Sequence, residues 1–340
     1  MKTIVLQEPG RLCLAEAASP GPPGPGEALV RVHRVGICGS DLHAFRGRQS
    51  FITYPRILGH ELGVEVVALG SGAGEAGLRV GDRCCVEPYL DCGRCSACRR
   101  GKPNCCLNLG VLGIHVDGGM QELLRLPVAK LHRSSRLSYD ELALVETLCI
   151  GAHAVGRARL RAEDSVLVIG SGPIGMSVIQ FVQAAGIHPI VVEVLDSRLE
   201  FCRRQLGVEC LVDGRRDPEP QIRGHLAGDL PTAVFDATGN TRSMHQAFGY
   251  VAHGGRLVFV GHVRDDITFH DPDFHLRELT LLASRNATSE DFARVLGLVE
   301  AGKVNLGPWI THRASPEDIV SEFPRWLEPG SGVVKAVLEF

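Results

Sequence analysis

One stretch constrains the fold of this chain more than any other. Ser165-Val166-Leu167-Val168-Ile169-Gly170 is a continuous apolar run of strand length, and it leads straight into Gly170-Ser171-Gly172-Pro173-Ile174-Gly175. Apolar residues then recur at helical spacing, at Ile174, Val178, Phe181, Val182 and Ala185, before a second apolar run at Ile190-Val191-Val192. Strand, glycine turn, helix and strand in that order form a β-α-β unit. Apolar runs at Ala233–Phe235, Leu257–Val260 and Leu279–Leu282 continue the alternation, so the expected fold class is α/β with a doubly wound parallel sheet. A helix-like segment, Ser289–Ala301, and a strand-like one, Val333–Leu338, close the chain.

The glycine turn fits G-x-G-x-x-G in the setting that gives the pattern meaning, at the end of a strand and the start of a helix. Gly170 allows the tight turn, Gly172 lets backbone approach a pyrophosphate, Gly175 lets helix and strand pack closely, and the helix N-terminus offers free N–H donors. An acidic residue at the end of the next strand should receive the ribose hydroxyls, and Glu193 stands 18 residues after Gly175. A carboxylate there repels a 2′-phosphate, and Val194 and Leu195 supply no arginine to bind one, so NAD is expected rather than NADP. Asp196 is a rival for the ribose role.

The first 150 residues have another texture, with short apolar strands such as Ala28–Val32 and Gly63–Ala68 broken by Gly and Pro. The stretch Pro20–Gly26 reads as a turn. At 340 residues the chain is long enough for two domains, and its net charge of −3 is spread without long runs of one sign. That argues against nucleic acid or a lipid surface as partner and for a small molecule. The opening Met1–Leu6 lacks the apolar stretch of a secretory signal and no apolar run reaches membrane-span length, so the cytosol is the expected compartment.

In a reducing compartment the chain's 12 cysteines need a use other than disulfides. Cys92, Cys95, Cys98 and Cys106 give C-x2-C-x2-C-x7-C, four thiolates able to close a tetrahedral zinc shell. A filled shell leaves no position for substrate, so this site is structural. The spacing does not match the iron–sulfur run, and spacing alone would allow Cys105 in place of Cys106. Upstream, Cys38-Gly39-Ser40-Asp41-Leu42-His43 and Gly59-His60-Glu61 offer the ligand types of a catalytic zinc, with Cys38 and His60 as natural ligands.

Taken together, Gly36–His43, Gly59-His60-Glu61, Val80-Gly81-Asp82-Arg83, the four-cysteine lobe and the glycine turn after Val168-Ile169 resemble the zinc-dependent medium-chain dehydrogenase/reductase family over essentially the whole chain. Glu146 in Val145-Glu146-Thr147-Leu148, and Ser284-Arg285-Asn286, resemble its polyol and sugar-acid branch; classical alcohol dehydrogenases carry Cys where Glu146 stands. Thr147 departs from the Pro usual in polyol enzymes, and Glu193 from the Asp of many relatives.

The resemblance implies a GroES-like β-rich catalytic domain over residues 1–147, rejoined by 289–340, and a Rossmann domain over 148–288, with the active site in the cleft between them. It implies one catalytic and one structural zinc per subunit and a homodimer or homotetramer. Cys38 and His60 would bind the catalytic ion with Glu61 or Glu146 as third protein ligand, and Asp41 would support His60. Ser40 would take the substrate proton and pass it through the nicotinamide ribose to His43. Arg285 and Asn286 are the expected substrate contacts, because a guanidinium fork can hold a carboxylate in two places. Arg198, Thr238, Gly239, Gly261 and His262 join Gly170, Gly172, Pro173, Ile174, Gly175 and Glu193 as expected cofactor contacts, with Asp236 beside them.

The expected activity is hydride transfer from a secondary alcohol of a polyol or sugar acid to NAD. Oxidation of an amino alcohol such as threonine is the alternative within enzymes, and a non-catalytic relative the alternative outside them. Intact Cys38, Ser40, His43, His60 and Glu61 argue against the last.

Overall fold

The structure is a computed structural model and describes residues 1–328 and 330–340, apart from the side chains of residues 75 and 76. The chain divides into two units, one made of residues 1–146 with 288–340 and the other of residues 147–287.

The second unit is built on six parallel strands. Their spatial order is Cys210–Asp213, Ile190–Glu193, Val166–Ile169, Ala233–Asp236, Arg256–Phe259 and Thr280–Ala283. The central strands are buried on both faces, which is why they read as unbroken apolar runs rather than alternating ones. Strand order reverses between Val166–Ile169 and Ala233–Asp236, the place where open α/β sheets leave a crevice at the carboxyl ends. Helix Pro173–Ala184 starts there, with Pro173 at a position where a missing N–H costs nothing. The sequence gives little sign of the strand Cys210–Asp213, four residues long with an acidic residue at its end.

The first unit centres on a sheet whose path runs Leu131–Arg133, Arg83–Val86, Glu61–Leu69, Glu27–Ile37, Lys335–Glu339 and Ile310–Ala314. Leu123–Pro127 also pairs with Glu27–Ile37. Val30, Val32, Val35, Leu62, Val64 and Phe323 lie in its apolar core, each contributing about 1.5–3 kcal/mol on burial. Strand Glu27–Ile37 lies between Glu61–Leu69 and Lys335–Glu339, so the chain's last strand is brought to the edge of the His60-Glu61 region. Gly36 stands opposite Glu61 in that register. A Cβ at Gly36 would lie 2.2 Å from Glu61 Oε2, so only glycine lets the Glu61 side chain take this place. Among the described residues, no helix is long and apolar enough to cross a membrane.

Candidate active site and metal centres

Cys38 follows strand Glu27–Ile37 and caps the short helix Gly39–Phe45. Its backbone N–H donates to Asp41 Oδ2 at 2.9 Å, and the other Asp41 oxygen accepts from Gly59 N at 3.4 Å. Asp41 thus fixes the two loops that carry Cys38 and His60. Gly59 has φ +93°, and a Cβ there would lie 2.7 Å from Val35 Cγ1, so this turn admits only glycine.

These constraints place the ligand atoms of Cys38, His60 and Glu61 within 4.8 Å of one another. His60 Nδ1 lies 3.9 Å from Asp41 Oδ1, and Ser40 Oγ lies 3.5 Å from His60 Nε2. At that distance Asp41 sets its charge beside Nδ1 without a hydrogen bond, and Nδ1 is itself buried with no partner, so either ring nitrogen is available to a metal. Burial opposes an imidazolium here, but the charges of Cys38 and Asp41 outweigh it and raise the His60 pKa well above its ordinary value. The pocket therefore attracts positive charge. Burial raises Asp41 as well, although His60 opposes the shift.

Glu61 Oε1 accepts from Lys335 Nζ at 2.5 Å, and Glu61 Oε2 is buried with no hydrogen-bond partner. An orphaned carboxylate oxygen beside a cysteine sulfur and an imidazole fits a divalent cation. Three protein donors with a further position open is the donor set of a catalytic zinc. Glu146, on helix Tyr139–Ala158, is buried and accepts from the Tyr89 hydroxyl. It lies outside the three-residue cluster, and burial raises its pKa against the opposing pull of His60. Ser40 and His43 stand one helical turn apart on Gly39–Phe45, with Ser40 half-buried and His43 exposed.

Cys92, Cys95, Cys98 and Cys106 form a second cluster within 4.8 Å, with Cys95 Sγ 3.4 Å from Cys98 Sγ and 3.9 Å from Cys106 Sγ. A tetrahedron with Zn–S bonds of about 2.3 Å has edges of about 3.8 Å, so the four sulfurs suit one zinc. Backbone N–H groups of Cys92 and Asn108 point at Cys106 Sγ, whereas Cys105 is exposed and outside the cluster. Asp91 Oδ2 lies 3.7 Å from Cys98 Sγ, and Lys130 bridges Asp91 to the buried Glu87, which also accepts from Ser289. This network ties the cysteine lobe to the returning segment.

In the second unit Gly170 has φ +86°, and a Cβ on Gly175 would lie 1.9 Å from the Gly170 carbonyl oxygen. At Gly172 the nearest atom to an added Cβ is Arg198 Nη1 at 3.7 Å, so the space it leaves is open to a ligand. A cavity of about 800 Å³ lies here, with Gly170, Gly172, Glu193, Arg198 and Thr238 on its wall. Arg198 donates to Ser171 O, and Thr238 is held by two hydrogen bonds to the buried Asp236. Pro173, Ile174 and Gly175 begin the helix behind that wall. Gly239, Gly261 and His262 are not part of it; a Cβ on Gly261 would lie 2.5 Å from Gly239 N.

Glu193 is folded inward: Oε2 accepts from Ser171 N and Oγ, and Oε1 from Val194 N and Leu195 N. Arg285 and Asn286 follow strand Thr280–Ala283, with Asn286 in the left-handed region at φ 52°. Sequence reasoning missed Lys335, Tyr89, and Arg215 with Arg216 on the cavity wall. No local motif announces them; a pattern search limited to neighbouring residues does not pair Lys335 with Glu61.

Residues 24–136 match the alcohol dehydrogenase GroES-like domain, and residues 173–301 match the zinc-binding dehydrogenase domain. The chain belongs to the zinc-dependent medium-chain dehydrogenase/reductase family, the alcohol dehydrogenase-like enzymes with a GroES-like and a Rossmann domain. It is 38% identical over 340 residues to L-galactonate-5-dehydrogenase of Escherichia coli K12, covering 100% of this chain and 99% of that protein. It is 30% identical to 2-dehydro-3-deoxy-L-galactonate 5-dehydrogenase of Pseudoalteromonas atlantica, covering 93% and 92%. A crystallised alcohol dehydrogenase of Escherichia coli CFT073 complexed with cofactor NADH superimposes with a TM-score of 0.93 at 29% identity, covering 100% and 99%.

Proposed function

We propose that this chain oxidises a secondary hydroxyl of a sugar acid or polyol with NAD, an L-galactonate-like aldonate being the first substrate to test. The observation that carries the reading is the Cys38-His60-Glu61 cluster with its unpartnered Glu61 oxygen. The relatives named for galactonate-type acids support the substrate class.

Cys38, His60 and Glu61 would hold a zinc ion, which would supply Lewis-acid polarisation of an alcohol oxygen. NAD seated on the glycine turn supplies the hydride acceptor. The chain's own residues do the rest. Asp41 sets its carboxylate charge 3.9 Å from His60 Nδ1, and Lys335 holds one oxygen of Glu61 so that the other stays free for the ion. Glu146, which accepts from the Tyr89 hydroxyl, would be the other carboxylate able to hold the ion in place of Glu61. Ser40 would take the hydroxyl proton as it releases its own toward His43, three residues on and exposed, where the proton leaves to water. Arg285 binds the substrate carboxylate, its fork matching two oxygens. Cys92, Cys95, Cys98 and Cys106 hold the second zinc, which keeps the lobe folded.

The enzyme works in the cytosol as a homodimer or homotetramer; twelve cysteines outside any disulfide support a reducing compartment. The test is NADH formation from a panel of aldonates, polyols and threonine, together with the metal content of the purified protein. Turnover of aldonates or polyols and two zinc ions per chain, matching the two clusters, are expected. Turnover of threonine alone, or of none with one zinc ion, would refute the reading.

A further inference from the structure

The dinucleotide cavity has an arginine that the sequence around Glu193 does not reveal. Arg215 lies on its wall with Arg216, in the loop after strand Cys210–Asp213. Two arginines there would ordinarily make a phosphate site. Arg215, however, is already spent on two carboxylates. Nε and Nη2 donate to Asp213 at 2.8 and 3.0 Å, while Nη1 and Nη2 donate to Asp196 at 2.8 and 2.7 Å. A guanidinium has five N–H donors, so one remains, and a fork needs two. Arg216 Nε also faces Asp213, at 3.8 Å.

The charge balance points the same way. Glu193, Asp196, Asp213 and Asp217 offset Arg198, Arg215, Arg216 and Arg242 around this cavity, so no net positive charge is left for a 2′-phosphate, which would bring roughly −1.5 to −2 more. Glu193 has its oxygens committed to Ser171, Val194 and Leu195, and it is buried, so it cannot swing aside cheaply. Asp213 is fixed by the turn, since its Oδ1 also accepts from Arg215 N. Asp196 is the exposed and replaceable arm, at the first turn of helix Asp196–Leu206.

We propose that Asp196 makes this enzyme discriminate against NADP by occupying the fork of Arg215, which without it would bind the 2′-phosphate. The inference rests on the reading of this cavity as the dinucleotide site, and it assigns discrimination to a residue pair joining a helix start to a loop rather than to Glu193 alone.

The test is calorimetric titration of the purified enzyme with 5′-AMP and with 2′,5′-ADP, repeated on Asp196→Asn, Arg215→Gln and the double variant. Wild type is expected to bind 5′-AMP more tightly than 2′,5′-ADP. Asp196→Asn is expected to tighten 2′,5′-ADP by about tenfold while changing 5′-AMP by less than about twofold, and adding Arg215→Gln should abolish the gain. Arg215→Gln alone should leave the preference with 5′-AMP. Asp196→Ser serves as a second replacement if the Asn variant does not fold. An unchanged ratio in the Asp196 variants, or a gain that survives loss of Arg215, overturns this proposal and leaves the dinucleotide reading intact. If wild type binds neither nucleotide, both fall.

Discussion

Lys335 Nζ donates to Glu61 Oε1 at 2.5 Å, and the two side chains, from strands separated by Glu27–Ile37, are 2% and 1% exposed. A buried charge left alone is far costlier than a buried pair, so Lys335→Met should destabilise the metal-free protein by about 3–5 kcal/mol. The double variant Lys335→Met, Glu61→Leu should lose much less, because no uncompensated charge remains. Urea denaturation of chelator-treated protein measures both, and equal losses would mean that the pair does not act as one.

Cys95→Ser opens the four-cysteine shell. Zinc per chain should fall from two to one, matching the two clusters, and the thermal midpoint should drop. Metal analysis alongside a thermal scan checks this; retention of two zinc ions would refute the structural assignment. The Asp91–Lys130–Glu87–Ser289 network should transmit the loss to the returning segment, seen as faster amide exchange around Ser289.

Gly175→Ala places a methyl group 1.9 Å from the Gly170 carbonyl oxygen, which must move. The expected result is a stability loss of about 1–3 kcal/mol and weakened NADH binding with zinc content unchanged. Fluorescence titration of NADH and metal analysis on one sample separate the two effects. Normal NADH affinity would show that the turn tolerates what its geometry forbids.

Burial alone would raise the pKa of Asp164, yet the Arg161 N–H, the Thr232 hydroxyl and the Arg256 guanidinium hold it below its usual 3.8. A carboxyl group depressed in the folded state stabilises above its unfolded pKa and loses that contribution as pH falls through the folded one. Asp164→Asn should therefore cost about 2 kcal/mol from about pH 5 to pH 8, with the gap to wild type closing below about pH 4. Denaturation midpoints at several pH values test the sign; a gap that widens in acid would contradict it.

The features legible in the sequence are those whose partners lie close along the chain. Gly170 to Gly175 need only each other and a flanking strand, and Cys92 to Cys106 span one loop. The parallel sheet was legible because its central strands, buried on both faces, read as apolar runs. Lys335 was not, because its role arises from a sheet register that sets it beside a residue 274 positions earlier. Arg215 reaches from its loop to the helix start at Asp196 in the same way, 19 positions away. Glu193 was recognisable as the acidic residue after the second strand, but the four donors that fold its carboxylate inward come from turn geometry that no spacing rule encodes.

The most direct measurement of the central claim is NADH formation from L-galactonate by Cys38→Ser beside wild type, with zinc and NADH binding measured on the same preparations. Loss of Lewis-acid polarisation worth several kcal/mol should cut kcat by at least about a thousandfold. Zinc should fall from two ions to one, matching the two clusters, with NADH affinity retained. Wild-type turnover in Cys38→Ser would contradict the account.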